Sequence, residues 1–249
     1  MISAISFLVV FSIVVLVHEF GHFTAARRAG VKVYEFSIGF PFSPKIFKLF
    51  RHKETEFTVR LLPLGGFVSF SKDGNEDAKE LFDASYLNRT MIMAAGSVFN
   101  IIFAFLLFVF VFAIGKHLSL FEAVMHSANM LWTILAGTFD ILVNIFSGNG
   151  SMDGLSGPVG IAAMAGQAAG KGFMSLVYFT GILSMSLGIM NLIPFPALDG
   201  GQLTILLLER LSRRPLSMKV HQAINLTGLS LFLILTVLVT YKDIVRLMA

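Results

Sequence analysis

The sequence has no cysteine and few charged residues, and both scarcities narrow the classes of protein it can belong to. Without cysteine, the 249-residue chain cannot form disulfides. Charged residues make up only 14% of the chain, whereas hydrophobic residues make up 55% and the mean hydropathy is +0.79. This composition excludes a soluble domain and predicts an integral membrane protein, with the lipid bilayer as a partner. A basic block typical of nucleic-acid binding is also missing, so we expect no nucleic-acid partner.

The first apolar run, at residues 2–26, has no lysine or arginine before it, and Arg27 and Arg28 follow it directly. A secretory signal peptide has positive charge before its apolar core and a small-residue cleavage site after it. We therefore expect a retained span whose N-terminus is extracytoplasmic. Together with three further runs, it predicts an α-helical polytopic membrane protein with about four transmembrane helices, at residues 2–26, 91–115, 173–193 and 221–241.

The segments between these spans differ in charge, and the difference predicts the topology. Eleven lysines and arginines lie in residues 27–90, four lie in residues 209–220, and only four lie elsewhere. Because positive residues accumulate on the cytoplasmic side, we place residues 27–90 there and both termini outside. Residues 116–172 then form an extracytoplasmic interfacial segment, in which residues 122–146 predict an amphipathic helix at the membrane surface. A crossing by that helix would place Asp199 on the side opposite the histidines described below.

Alternating apolar and polar residues predict strands in the cytoplasmic segment, at residues 31–38, 57–61 and 67–70. Residues 57–70 predict a membrane-associated β-hairpin, because Pro63 and two glycines supply a turn between its strands. Two interpretations are equally open. The hairpin is a small sheet resting on the helices, or its edge accepts a substrate strand. In the second interpretation the substrate-binding residues are Gly65, Gly66, Phe67, Val68, Ser69 and Phe70.

Residues 18–22 of the first span read His-Glu-Phe-Gly-His, which is a zinc-binding pattern inside an apolar run. Histidines four residues apart face the same side of a helix, so His18 and His22 can reach one metal ion. Glu19 can act as a base beside them. The alternative is that these polar residues are merely tolerated in a packed helix. At bilayer depth each ionisable group costs on the order of 3 kcal/mol, which favours a functional role.

The third span ends in a stretch with two prolines and two glycines, residues 191–201, that breaks the helix. Broken backbone at membrane depth is tolerated only where protein or a water-filled cavity surrounds it. Asp199 in this stretch is either the cap of a following helix or the third metal ligand. The remaining histidines are poorer candidates for the third ligand, because they are predicted outside the apolar region or near the opposite membrane face. They are His52, His117, His126 and His221. For Asn100 in the second span, an interhelical hydrogen bond is the favoured role.

This set of residues predicts zinc-dependent amide hydrolysis. His18, His22 and Asp199 would bind Zn²⁺ and leave one position for water. Glu19 would take a proton from the zinc-bound water, which attacks the scissile carbonyl, and would pass that proton to the leaving amine. A substrate helix must unwind before it is cut. Its freed backbone groups then need partners, which Asn191 and residues 57–70 could supply.

Four motifs occur in the order found in the site-2 protease family of intramembrane metalloproteases, and they span nearly the whole chain. They are His18-Glu-Phe-Gly-His22, Pro63-Leu-Gly-Gly66, Ser156-Gly-Pro-Val-Gly160 and Asn191-Leu-Ile-Pro-Phe-Pro-Ala-Leu-Asp-Gly-Gly201. The sequence most resembles the bacterial branch that includes the regulator-of-sigma-E protease. The resemblance implies an inner-membrane zinc endopeptidase that cuts single-span proteins such as anti-sigma factors or signal-peptide remnants. It also implies the same zinc ligands, Glu19 as catalytic base and Asn191 as a substrate-backbone ligand.

One departure from that branch concerns the PDZ domains that usually precede the Ser-Gly-Pro motif. Here Gly115 runs through Lys116 into the amphipathic helix without room for such a domain, so we expect a single protease domain over residues 1–249. In that branch these domains are regarded as gates that select substrates. This protein would then either lack such a gate or take one from an accessory protein. Two other functions stay open, a metal-binding membrane transporter and an inactive substrate-binding scaffold. The transporter is disfavoured by Glu19 and by the lack of internal repeats.

Overall fold

The structure is a computed structural model that describes residues 2–39, 43–61, 65–71, 79–147, 156–214 and 216–248. Helices dominate these residues, and four short strands lie between the first two long helices. The helices are α1 (Ile2–Arg28), α2 (Lys79–Phe82), α3 (Tyr86–Phe110), α4 (Leu120–Phe146), α5 (Pro158–Gly170), α6 (Phe173–Leu192), α7 (Asp199–Ser212) and α8 (Met218–Met248). A π-helical turn, Val111–Gly115, extends α3. The strands are β1 (Glu35–Ile38), β2 (Lys45–His52), β3 (Thr55–Arg60) and β4 (Gly66–Ser69).

Four of the described helices are long and apolar enough to cross a membrane, which confirms the predicted fold class. They cover Ile2–Arg28, Tyr86–Gly115, Phe173–Leu192 and Lys219–Arg246. Each contains one of the predicted spans or nearly all of it. Helix α4 is not among them, and the interpretation of residues 122–146 as a surface helix rather than a crossing stays a prediction.

The chain divides into two compact units, each with its own hydrophobic core. One unit comprises residues 1–7, 101–190 and 217–249, and its core is built around the fully buried Phe108. The other comprises residues 8–100 and 191–216, and its core is built around Val33 and Ile92. The second unit contains the sheet and all the predicted zinc-site residues.

The sheet has the strand order β2-β3-β1-β4, and this order corrects the predicted hairpin over residues 57–70. Strands β3 and β4 are not neighbours, because β1 lies between them, parallel to β3 and antiparallel to β4. The hairpin in the sheet is instead β2 with β3, and β2 was not predicted. The side chains of β2 are exposed throughout, so β2 lacks the alternation of buried and exposed positions by which a strand is predicted. Pro63 in the predicted turn lies outside the described residues.

A buried polar cluster ties three of the strands together. Glu35 of β1 is 8% exposed, and its carboxylate accepts a hydrogen bond from Thr58 of β3 at 2.6 Å. Arg60 of β3 lies 3.1 Å from the same carboxylate, and Lys45 of β2 lies 2.8 Å from it. Because every oxygen of this carboxylate has a donor, the buried charge is compensated and the strand register is held.

Asp243 of α8 contacts the start of α5 in the first unit. Its Oδ2 accepts a hydrogen bond of 2.7 Å from the backbone N–H of Gly160. A Cβ added at Gly157 or Gly160 would lie 2.9 Å from a carboxylate oxygen of Asp243. The motif Ser156-Gly-Pro-Val-Gly160 therefore starts a helix in whose first turn the free N–H of Gly160 donates to a carboxylate from α8.

Candidate metal centre

Helix α1 places His18 and His22 on one side, as their spacing predicts. Their Nε2 atoms lie 3.2 Å apart, and the two residues are only 6% and 8% exposed. Both rings therefore present the same nitrogen to one buried point inside the second unit.

Asp199 joins the two histidines from the broken stretch after α6. Its Oδ2 lies 3.0 Å from Nε2 of His18 and 3.3 Å from Nε2 of His22. The N-cap position of α7 is occupied by Leu198 without a side-chain hydrogen bond, so the structure gives the capping role no support. Among the described residues, these three form the only group of histidine, aspartate and glutamate side chains that could hold a metal ion.

The two glycines after Asp199 are required by the close approach of the preceding backbone. A Cβ at Gly200 would collide with the carbonyl oxygens of Leu192 and Ile193, and one at Gly201 with that of Phe195. The glycines thus let α7 begin directly against the broken stretch. This tight turn brings Asp199 to the histidines although it lies about 180 residues further along the chain.

Helix α3 packs against both imidazoles and bonds the ring of His22. Nδ1 of His22 donates to the carbonyl oxygen of Ile92 at 2.7 Å. A carbonyl can only accept, so the proton of the neutral ring is on Nδ1, and Nε2 keeps the lone pair that a metal ion would need. A Cβ added at Gly96 would lie 2.5 Å from Nε2 of His22 and 2.7 Å from Nε2 of His18. Gly96 therefore keeps open the space in front of the coordinating nitrogens.

The donor set fits a zinc ion. Two imidazole nitrogens and one carboxylate oxygen are common ligands of catalytic zinc, which keeps a further position for water or substrate. Oδ2 of Asp199 is buried, yet it accepts no hydrogen bond of good geometry from the residues that the structure describes. A buried carboxylate oxygen in that condition is costly unless a cation or donor meets it. Both observations favour a cation between the three side chains.

Glu19 lies beside this group and next to the sheet. The backbone N–H of Val68 donates to its carboxylate, and a Cβ at Gly66 would lie 3.3 Å from its Cγ. Strand β4 is an edge strand, and Gly39 donates to the carbonyl of Gly65 at 2.9 Å on its β1 side. Because backbone groups alternate in direction along an antiparallel strand, Gly66 and Val68 present theirs at the outer edge. That edge faces Glu19.

The residues predicted to bind substrate differ in their contacts within the structure. The guanidinium carbon of Arg60 lies 4.7 Å from the ring centre of Phe67. The hydroxyl of Ser69 donates to the carbonyl of Ser71. Val68 and Phe70 pack against the core of the second unit. Asn191 is half-buried in the last turn of α6. Substrate binding by these residues stays a prediction.

Two residues of α3 at the site share a helix face that their sequence spacing indicates. Gly96 and Asn100 are four residues apart, so they share a face of α3, and Asn100 lies 3.3 Å from His18. This contact confirms the predicted interhelical hydrogen bond of Asn100. The carbonyl of Ile92 had no signal, because any residue supplies a backbone carbonyl.

The sequence model of peptidase family M50 matches residues 6–235 of the chain, a range that includes His18, Glu19, His22 and Asp199. The chain belongs to peptidase family M50. Relatives of this M50 peptidase carry the name zinc metalloprotease, in some cases provisionally. A protein of Clostridium perfringens, provisionally named a zinc metalloprotease, is 27% identical over 328 residues, covering 96% of this chain and 97% of the relative. The zinc metalloprotease RasP of Shouchella clausii is 38% identical over 129 residues, or 52% of this chain and 31% of the relative.

These findings establish the coarse function. The M50 peptidase is a zinc metalloprotease and a multi-pass membrane protein, so its surroundings are the bilayer and its substrates are membrane proteins. A provisionally named zinc metalloprotease of Rhizobium meliloti is 25% identical over 360 residues, covering 96% of this chain and 95% of the relative. Since that alignment exceeds the 249 residues of this chain, the relative has segments without a counterpart here.

Proposed function

We propose that this M50 peptidase is an intramembrane endopeptidase. It hydrolyses peptide bonds in or near the transmembrane segments of single-span proteins, of the anti-sigma factor or signal-peptide remnant type. The observation that carries this proposal is the position of His18 and His22 on α1, a 27-residue helix apolar enough to span a bilayer. A metal held on such a helix meets peptide bonds that soluble proteases cannot reach.

In this proposal His18, His22 and Asp199 hold the zinc ion, and Glu19 is the catalytic base. Bound zinc supplies Lewis-acid chemistry, which acidifies water and polarises a carbonyl. The carboxylate of Glu19 takes a proton from the attacking water and delivers it to the leaving nitrogen of the scissile bond. No covalent bond between enzyme and substrate is needed. The close packing of Glu19 against Gly66 supports this role, because it leaves the carboxylate little freedom to turn away.

The substrate strand adds to the outer edge of β4. A transmembrane helix hides its carbonyls in internal hydrogen bonds, so the scissile segment has to become extended and then needs new partners. The backbone groups of Gly66 and the carbonyl of Val68 lie at an edge next to Glu19, which supports pairing by β-augmentation. Asn191 is a further ligand of the substrate backbone, as the resemblance of its motif implies.

This edge is tested by removing one backbone donor. Phe70→Pro deletes the next outward N–H of this edge and leaves the bond from Val68 to Glu19 in place, whereas Phe70→Ala trims the side chain and keeps the N–H. Cleavage of a single-span substrate should fall to background in the proline variant and stay near wild type in the alanine variant. Zinc content should be equal in both. Normal cleavage by the proline variant would exclude pairing at this edge.

The protein lies in the bacterial inner membrane with both termini extracytoplasmic and the active site toward the cytoplasm. The excess of positive residues in 27–90 and 209–220 supports this orientation. Because the chain has no cysteine, single cysteines report their side without background. Ser147→Cys should react with an impermeant maleimide in intact cells, and Ser212→Cys only after permeabilisation. The reverse pattern would invert the topology.

The enzymatic proposal as a whole is tested with Glu19→Gln and a single-span substrate. A general base contributes roughly 10²- to 10⁴-fold to a rate, so cleavage should fall by that factor while zinc stays bound. A transporter or an inactive scaffold would show no Glu19-dependent cleavage at all. Identifying the membrane proteins that accumulate in cells carrying Glu19→Gln would name the natural substrates.

A further inference from the structure

We propose that Asn100 is a positioning residue for His18, which holds the imidazole with its proton on Nδ1 and so presents Nε2 to zinc. The inference rests on the proposed ligand role of His18. It concerns a residue of α3, outside the His-Glu-Phe-Gly-His motif and outside the broken stretch that contains Asp199.

The geometry separates the two nitrogens of His18 clearly. Nε2 lies 3.0 Å from Oδ2 of Asp199, within the metal-binding group. Nδ1, on the other side of the ring, lies 3.3 Å from Nδ2 of Asn100. Asn100 is fully buried, and its amide therefore has a defined place against the ring rather than in solvent.

His22 shows what such an arrangement does. Its Nδ1 donates to the carbonyl of Ile92, which fixes the proton on Nδ1 and frees Nε2. Ile92 and Asn100 are both on α3, eight residues apart, with Gly96 midway between them. One face of α3 therefore carries a partner for each imidazole and the gap in front of both.

The chemistry of the amide fits the same function. When Nε2 of a neutral imidazole binds a metal, Nδ1 carries the proton and its neighbour must accept a hydrogen bond. An asparagine amide has an oxygen and an NH₂ group at its end, and a half-turn of the amide exchanges them. With the oxygen turned toward Nδ1, Asn100 accepts the Nδ1–H bond and orients the ring for zinc.

A purely structural role is the competing explanation. A polar side chain buried between two spans can simply link α1 to α3 by an interhelical hydrogen bond. Loss of such a link would lower stability without changing the affinity of the folded protein for zinc. Loss of a partner of a metal-binding histidine typically weakens metal affinity by about 10- to 100-fold.

The experiment measures the zinc dissociation constant of the purified full-length protein by chelator competition. Asn100→Leu has similar size and no acceptor, and it should bind zinc about 10- to 100-fold more weakly. Asn100→Asp restores an acceptor that cannot donate, and it should regain most of the affinity. Ser127→Ala is the control, because Ser127 is also fully buried and, among the described residues, its hydroxyl bonds only the carbonyl of Ala123 in its own helix.

Wild-type affinity in a folded Asn100→Leu protein would overturn the proposal, and so would equal weakening in Leu and Asp variants that both fold. If Asn100→Leu does not fold, Asn100→Asp alone decides. Affinity within a few-fold of wild type supports an acceptor role, and a tenfold loss contradicts it. Because the readout is zinc binding, the result is independent of Glu19→Gln, which should bind zinc normally but not cleave.

Discussion

Asp199 and Asp243 are two aspartates of the apolar part of the chain, the first half-buried and the second buried, and their partners differ. Asp243 accepts a backbone N–H at 2.7 Å beside two glycines at the start of α5. Asp199 directs an oxygen at two imidazole nitrogens and accepts no good hydrogen bond there among the described residues. The first carboxylate is satisfied by the fold itself. The second has no such donor, and we expect a cation to complete it, which would separate a structural carboxylate from a functional one.

The largest expected effect is the loss of zinc in Asp199→Ala. Removing one of three protein ligands should abolish tight zinc binding, as measured by metal analysis after dialysis. Asp243→Ala is the matched control and should retain one zinc ion per chain. Tight zinc in Asp199→Ala, or its loss in Asp243→Ala, would erase the contrast between the two aspartates.

A similarly large effect is expected at Gly96. The Cβ of Gly96→Ala would lie 2.5 Å from Nε2 of His22, so either the ring or α3 has to move. Zinc affinity should fall at least about tenfold, in line with the sensitivity of metal sites to small displacements. Gly137→Ala on α4 is the control, because its Cβ would meet no atom within 4 Å. Equal zinc affinity in both variants would contradict a role for the gap.

Asp243 should matter for stability instead. Asp243→Ala leaves the N–H of Gly160 without its carboxylate, and loss of such a cap costs about 1–2 kcal/mol. The midpoint of thermal unfolding in detergent should therefore fall while zinc-dependent cleavage continues. An unchanged midpoint would mean that the contact contributes nothing to the fold.

The smallest effect, on the pH dependence of stability, is expected from Glu35. This third acidic residue has its charge compensated by Lys45 and Arg60. Burial alone would raise the pKa of Glu35, but hydrogen bonds from Lys45 and Thr58 and the charge of Arg60 hold it below its usual value. Its stabilising contribution is complete above the unfolded pKa of about 4.3 and is lost as pH falls through the lower folded pKa. Glu35→Gln should flatten the acid side of the stability curve. An unchanged acid limb would contradict this pairing.

The sequence predicted the four spans and brought together His18, His22 and Asp199, because span length, helix periodicity and helix-breaking residues are local signals. The pairing of β4 was not predictable in the same way. Its partner β1 lies about 30 residues earlier, and the nearer β3 pairs elsewhere. Backbone partners are also invisible in a sequence, so the bond from His22 to the carbonyl of Ile92 required the structure.

The most direct test of the central claim is the position of the metal in crystals of the zinc-loaded protein. An anomalous difference map at the zinc absorption edge should show one strong peak, within about 2.0–2.2 Å of Nε2 of His18, Nε2 of His22 and a carboxylate oxygen of Asp199. A peak coordinated without Asp199, or at any of the other histidines, would contradict the account.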